Sequence, residues 1–286
     1  MTTLCIYHND ADGRASAAIV RRALGQNIKL YEMKYGDSLP LEELLHAEYL
    51  IIVDFSLPRE DIQQLAKYHK ITWIDHHKSA LESLGDIAQD WPGIRSLDEA
   101  ACVLTWQYYF PNQDVPKAIT LIGDRDIWRW AEEETGAFNE GLYQRNSNPL
   151  NDTLWEPLLN NDSNLVAELI EHGTILREAR LRAIHGSTAH YGFPIVFEGH
   201  DTLAINMRGS GDLGEHIRNR GHKIGYCYID NFDHGEIYTY VTLYSDSVDV
   251  AKIAQRFGGG GHAGAAGFHF KRNGNPFPPQ AKVEFK

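Results

Sequence analysis

Three short apolar runs, LCIYH at 4–8, YLIIVDF at 49–55 and KITWIDHH at 70–77, each stop on acidic or histidine side chains. Runs of this length, apolar at successive positions, read as strands buried on both faces. Between them, GRASAAIVRRALG (13–25) and SLPREDIQQLAKYHK (56–70) carry helical patterns; in the second, Ser56 is a candidate N-cap ahead of Pro58 and an acidic first turn. Such strand–helix–strand alternation implies a parallel sheet with helices on both faces. Open sheets of this kind bind ligands at the carboxyl edge of their strands. His8, Asp10, Asp12, Asp54, Asp75, His76 and His77, remote in sequence, are therefore expected to converge there.

Two mostly helical segments follow, LDEAACVLTWQYYF (97–110) and VPKAITLIGDRDIWRW (115–130), then the polar NSNPLNDT (146–153) and a long helical run from about Asn164 to His185. From about residue 187 strand-like runs take over: PIVFEG, TLAINM, KIGYCYID and IYTYVTLYS. The expected organisation is an N-terminal doubly wound, mainly parallel α/β domain over 1–160, a helical connector over 161–187 and a smaller α/β domain over 188–286. With 43% hydrophobic and 23% charged residues the chain can bury a core.

The net charge of −12, from 39 acidic and 27 basic side chains, gives no overall field that would draw the protein along duplex nucleic acid or onto an anionic membrane. It does not exclude a small phosphorylated substrate, because divalent cations reverse the local potential at a carboxylate site. Cys5, Cys102 and Cys227 are widely separated and read as reduced core thiols. With no membrane-length apolar run and no basic segment leading into one, the expectation is a cytoplasmic protein.

HNDADG at 8–13 reads alone as an Asx-rich turn or N-cap. A calcium loop counted from Asp10 would need Gly and Glu at its sixth and twelfth positions, where Ala15 and Arg21 stand. His8 also turns the reading toward transition metals. Crowded carboxylates raise one another's pKa unless a cation holds them, and the two adjacent histidines after Asp75 can divide between metal and substrate. Two cations about 3.5–4 Å apart would share a water, lower its pKa and clamp the attacking and leaving oxygens at phosphorus.

The set H-x-D-x-D-G, strand Asp, D-H-H, a later Asp in GDRDIW, and a distal G-G-G-G-H resembles the DHH phosphoesterases with a DHHA1-type C-terminal domain, over residues 1–130 and 240–267. The resemblance implies a two-metal phosphohydrolase, usually with manganese, although magnesium or cobalt would also serve. Carried over, His8 and Asp10 would bind one metal, Asp12 and His76 the other, and Asp54 both; Asp126, or alternatively Asp124, would complete the second set. His77 would touch the scissile phosphate or assist the leaving group, with Asp75 orienting its neighbours. Gly259, Gly260, Gly261 and His262 would cradle the far end of the substrate from backbone N–H groups at a helix N-terminus.

Relatives often carry an Arg before the Ser of the strand preceding this helix; here Tyr244 stands there, and Arg208 and His216 are the substitute candidates. The nanoRNase and oligoribonuclease members suggest hydrolysis of short oligonucleotides to mononucleotides by metal-activated water, which an acidic surface favours over long substrates. The alternatives are a hydrolase of small phosphorylated molecules (cyclic mononucleotides, cyclic or linear dinucleotides, 3′-phosphoadenosine 5′-phosphate, polyphosphate) and a non-catalytic nucleotide-binding module. Aromatics in DIWRW and YCYIDNF serve either core packing or base stacking. Monomer and homodimer both stay open.

Overall fold

Strand β1 (Thr3–His8) lies between β2 (Lys29–Met33) and β3 (Tyr49–Val53), with β4 (Lys70–Ile74) beyond β3. The pairings are all parallel, Cys5 standing opposite both Leu30 and Ile51. This is seen in a computed structural model, which describes residues 2–233 and 235–286. Side chains alternate across the sheet. Leu4, Ile6, Leu50, Ile52 and Trp73 join one buried cluster; Cys5, Tyr7, Ile51, Val53 and Ile74 join another. The first is covered by α2 (Leu41–Leu45), α3 (Arg59–Leu65) and α4 (Lys78–Leu84), through Leu44, Ile62, Ala80 and Leu84. The second is covered by Ala17 and Val20 of α1 (Ala11–Leu24) and Leu104 of α5 (Ala101–Tyr109). Burial on both faces is why the sequence runs are apolar without alternation.

The helix expected over 56–70 is shorter. Pro58 disfavours helical geometry at the residue before it, so the helix begins at Arg59, Pro58 is its N-cap residue, and Ser56 does not cap it. The opposite side of α1, with Ala15, Ala18 and Ile19, packs into a helical cluster built with α5, α6 (Lys117–Asp126), α7 (Thr135–Tyr143), α8 (Asp152–Leu159) and the first turns of α9 (Ser163–Tyr191).

Contacts divide the chain into two compact units, one ending at Arg177 and the other Glu178–Lys286, so the division falls inside α9. The second unit carries β5 (Phe193–Phe197), β6 (His200–Asn206), α10 (Gly211–Asn219), β7 (Ile224–Asp233), β8 (Glu236–Tyr244), α11 (Val250–Arg256), β9 (Gly260–His262), β10 (Ala265–Lys271) and β11 (Val283–Phe285). Its seven-stranded sheet has the order β11-β5-β6-β7-β8-β10-β9, and only β6 and β7, joined through α10, run parallel. The three cysteines are free and buried, and no helix among the described residues is long and apolar enough to cross a membrane.

One close approach fixes the start of α1. A Cβ on Gly13 would lie 2.3 Å from the carbonyl oxygen of His8, so only glycine lets the helix begin against the end of β1. Gly13→Ala is expected to destabilise the protein by about 1–3 kcal/mol through overpacking. Gly186→Ala, in α9 with open space around the added methyl, is expected to stabilise by about 0.5–1 kcal/mol. Urea unfolding of the two variants checks the opposite signs.

Candidate metal centre

The carboxyl ends of β1, β3 and β4 deliver their polar residues to one edge of the sheet. Asp10 is the N-cap of α1 and accepts a hydrogen bond from the Gly13 N–H (2.9 Å), and its other oxygen lies 2.6 Å from His8 Nδ1. Asp54 follows β3 in the left-handed region, at φ 53°, with its N–H donating to the Ile74 carbonyl. Its carboxylate is 1% exposed, and Oδ2 has no hydrogen-bond partner. Asp12, equally buried, accepts the N–H groups of Ala101 (2.9 Å) and Cys102 (2.7 Å) at the first turn of α5.

His76 ties these together. Its Nε2 lies 3.2 Å from Asp54, 3.3 Å from Asp126 and 3.5 Å from Asp12. Ligand atoms lie within 4.8 Å of one another in three groups: His8, Asp10 and Asp54; Asp12, His76 and Asp126; and Asp54, His76 and His77. Asp54 is common to two of them and stands 3.9 Å from His8 Nδ1. Oδ1 of the fully buried Asp75 accepts the backbone N–H groups of His76 and His77 and the Nδ1–H of His77 at 2.7 Å.

Burial, followed by the neighbouring Asp12 and Asp10, pushes Asp126 up to about 8. Burial and then the charges of Asp12, Asp10, Asp126 and Asp75 hold Asp54 well above the ordinary carboxyl range. Asp10 goes the other way, to about 2, because hydrogen bonds from His8 and Gly13 outweigh its burial. Burial lowers His76, favouring the neutral imidazole that can ligate, whereas the Asp75 hydrogen bond raises His77. The donor set therefore fits divalent cations: carboxylate oxygens and a neutral imidazole crowd together, and one buried oxygen of Asp54 is unpartnered.

Asp124, the alternative to Asp126, is not brought to this cluster. It lies two residues back on α6, on the far side of the helix, and its carboxylate accepts the N–H groups of Ala131 and Glu132 and the hydroxyl of Thr135. Those hydrogen bonds outweigh its burial and hold its pKa below the ordinary value.

No family model matches the chain. The DHH domain of a member of the S1p family of ribosomal proteins superposes with a TM-score of 0.59 at 15% identity, covering 94% of this chain and 82% of that one. The fold is that of the DHH-domain proteins. The same DHH fold relates the chain to the pGpG-specific phosphodiesterase PggH of Vibrio cholerae, with a TM-score of 0.55 at 12% identity over 94% of this chain and 92% of the other. In sequence, the protein R106 of Acanthamoeba polyphaga mimivirus is 26% identical over 253 residues, 85% of this chain, and the chain spans 58% of its length. Oligoribonuclease NrnB of Bacillus subtilis is 21% identical over 286 residues, 91% of this chain and 71% of its own.

The second unit departs from the sequence expectation at the glycine run. Gly258–Gly261 is not a helix N-terminus: it follows α11, and Gly260, Gly261 and His262 form the edge strand β9 against Gly267, Ala266 and Ala265. Gly259 and Gly261 are needed for this hairpin, since a Cβ on either would strike the backbone of β10, whereas Gly260 has open space. Arg208 lines an open cavity of about 480 Å³ with Asn231, Tyr240 and Thr242. His216 is engaged by the Thr188 hydroxyl at 2.8 Å and stacked on His185, and the Tyr244 ring packs where a Cβ of Gly214 would be.

Sequence reasoning missed Tyr35, whose ring is 4.7 Å from Phe55, 5.6 Å from His8 and 6.3 Å from His77. It follows β2, an edge strand whose mixed KLYEM run carries no buried signature.

A raised carboxyl pKa contributes stability below the unfolded value near 4 and loses it as pH rises through the folded value. For Asp126 that loss runs up to about pH 8, and Asp54 titrates with the same sign. A cation takes the place of the proton. Mn2+ is expected to raise the melting temperature more at about pH 8 than at about pH 6.5, read by differential scanning fluorimetry; an equal shift at both would contradict a metal site at this cluster.

Proposed function

We propose that the chain is a metal-dependent phosphodiesterase that shortens oligonucleotides of a few residues to mononucleotides. The observation that carries this reading is the pair of ligand groups sharing one edge, His8 with Asp10 and Asp54, and Asp12 with His76 and Asp126, bridged by the 3.2 Å approach of His76 to Asp54. These residues would hold two divalent cations, manganese in our reading, which would supply an acidified water and a clamp for the in-line oxygens at phosphorus. Asp54 would ligate both, with His8 and Asp10 on one side and Asp12, His76 and Asp126 on the other.

The chain's own groups supply the rest. His77, held by Asp75 through Nδ1, keeps Nε2 for the substrate and would steady a nonbridging phosphate oxygen or donate a proton to the departing oxygen. Arg125 lines the cavity beside Asp10, Asp12 and Asp126, where it would meet phosphate. Within the second unit, Arg208, on its own cavity, and His262 are the candidate substrate-binding residues. Sequence similarity to an oligoribonuclease along 91% of this chain and a fold shared with a pGpG-specific phosphodiesterase support a short oligonucleotide or dinucleotide as substrate. The net charge of −12 favours short substrates over long ones.

The direct test is a product time course with Mn2+ on a 5′-labelled RNA dinucleotide and a 24-mer, beside cyclic dinucleotides and pyrophosphate. Faster mononucleotide release from the dinucleotide is expected; turnover of only a small phosphate ester would overturn the substrate class. Asp54→Ala is expected to lower kcat by about a hundred- to a thousandfold, the scale of losing a catalytic electrostatic group, with the circular dichroism spectrum unchanged. His262→Ala is expected to raise KM more than it lowers kcat.

A further inference from the structure

The segment after α6 exposes two tryptophans in an unusual way. Trp128 is 65% exposed and Trp130 41%, their rings meet edge to face at 5.0 Å, and both residues have left-handed backbones, φ 59° and 54°. Side-chain-bearing residues adopt that region rarely, and bulky ones least. Neither ring is core filler, which removes the packing role that the DIWRW sequence also allowed.

The loop is tied down from beneath. The Trp128 N–H donates to the Arg125 carbonyl (3.1 Å), and those of Arg129 (2.9 Å) and Trp130 (3.4 Å) donate to the Asp124 carbonyl. The Asp124 carboxylate takes the next two backbone N–H groups and the Thr135 hydroxyl. Arg129, between the two rings, is turned away to the Asp98 carbonyl and Glu99. The indoles are thus presented by a backbone with little freedom to refold around a ligand. Trp128 also lines the cavity of about 250 Å³ that holds Asp10, Asp12, Asp126 and Arg125.

We infer that Trp128, braced by Trp130, is the platform on which a nucleobase of the substrate stacks while the attached phosphate enters that cavity. This rests on the phosphodiesterase reading above and narrows its substrate to molecules carrying a base. A flat π-face beside a cavity that holds Arg125 and the candidate metal ligands Asp10, Asp12 and Asp126 matches a nucleotide, and the stacking is sequence-tolerant because every base has a π-face. The platform therefore selects for the presence of a base rather than its identity, and Asp124 is its positioning residue.

The test compares an RNA dinucleotide with analogues lacking one base, made in both polarities, on wild type and Trp128→Leu. Trp128→Leu is expected to raise KM for the dinucleotide by about 5- to 100-fold with a smaller change in kcat, and to leave kcat/KM within about twofold of wild type on one of the two analogues. Equal losses on all three substrates, or no loss on the dinucleotide, would overturn the platform. A binding measurement separates this from failure of the phosphodiesterase reading: AMP, but not ribose 5-phosphate, is expected to quench indole emission of the protein in Mg2+, and Trp128→Leu to remove most of the response. Quenching by ribose 5-phosphate to the same extent, or a response unchanged in the variant, also overturns it. Trp128→Gly controls for folding, since glycine accepts the left-handed backbone; it is expected to melt no lower than wild type and still lose the AMP response.

Discussion

A carboxylate buried away from water keeps its charge only when something positive meets it, and Asp54 is the buried carboxylate around which the first unit is arranged. The strand order β2-β1-β3-β4 puts β3 between β1 and β4, so the end of β3 is the one place from which a single side chain can face both His8 and His76. The left-handed turn at Asp54 is the conformational cost of that position, of the order of 1–2 kcal/mol. Crowding by Asp12, Asp10 and Asp126 adds to the cost by pushing its pKa up. Strain and repulsion gathered at one residue are what a fold retains when a ligand relieves them.

How much of this could be read from the sequence follows from which residues are buried on two sides. β1, β3 and β4 were legible because both of their faces enter cores, giving unbroken apolar runs; β2, at the edge and only partly buried, has the burial of an ordinary surface segment. Convergence of His8, Asp10, Asp12, Asp54 and His76 was legible for a topological reason, since parallel strands end at the same edge. The glycine run was misread because the helical pattern lies before it, in Val250–Arg256, while the strand after it opens on Ala265, Ala266 and Gly267, which carry no strand signal.

The choice between Asp124 and Asp126 shows where one-dimensional reading stops and helix geometry takes over. Two residues apart on α6 they are about 200° apart around the axis, so they cannot serve one site. Asp126 faces His76, while Asp124 faces the loop that follows and gathers its N–H groups. One helix end thus feeds the acidic cluster with one carboxylate and fixes the shape of the neighbouring Trp128–Trp130 loop with the other. Geometry at the cluster and geometry at the aromatic wall are set by the same turn of backbone, which keeps the distance between them nearly constant as side chains move.

The ion-pair pattern bears on substrate length. Long nucleic acids are held chiefly through lysine and arginine on successive phosphates, yet the arginines of the first unit are largely matched internally: Arg14 with Glu32, Arg21 with Asp152, Arg22 with Glu156, Arg59 with Asp86, Arg129 with Glu99 and Arg145 with Glu168. Such exposed pairs add little stability, but each lowers the positive potential a passing phosphate would feel. On the phosphodiesterase reading, affinity in that unit would come from cations held at the acidic cluster and from apolar contact with a base, both of which act on one or two nucleotides and gain nothing from a longer chain. The pairing of these arginines would leave that unit little to offer a third or fourth phosphate, which is the physical argument for short substrates.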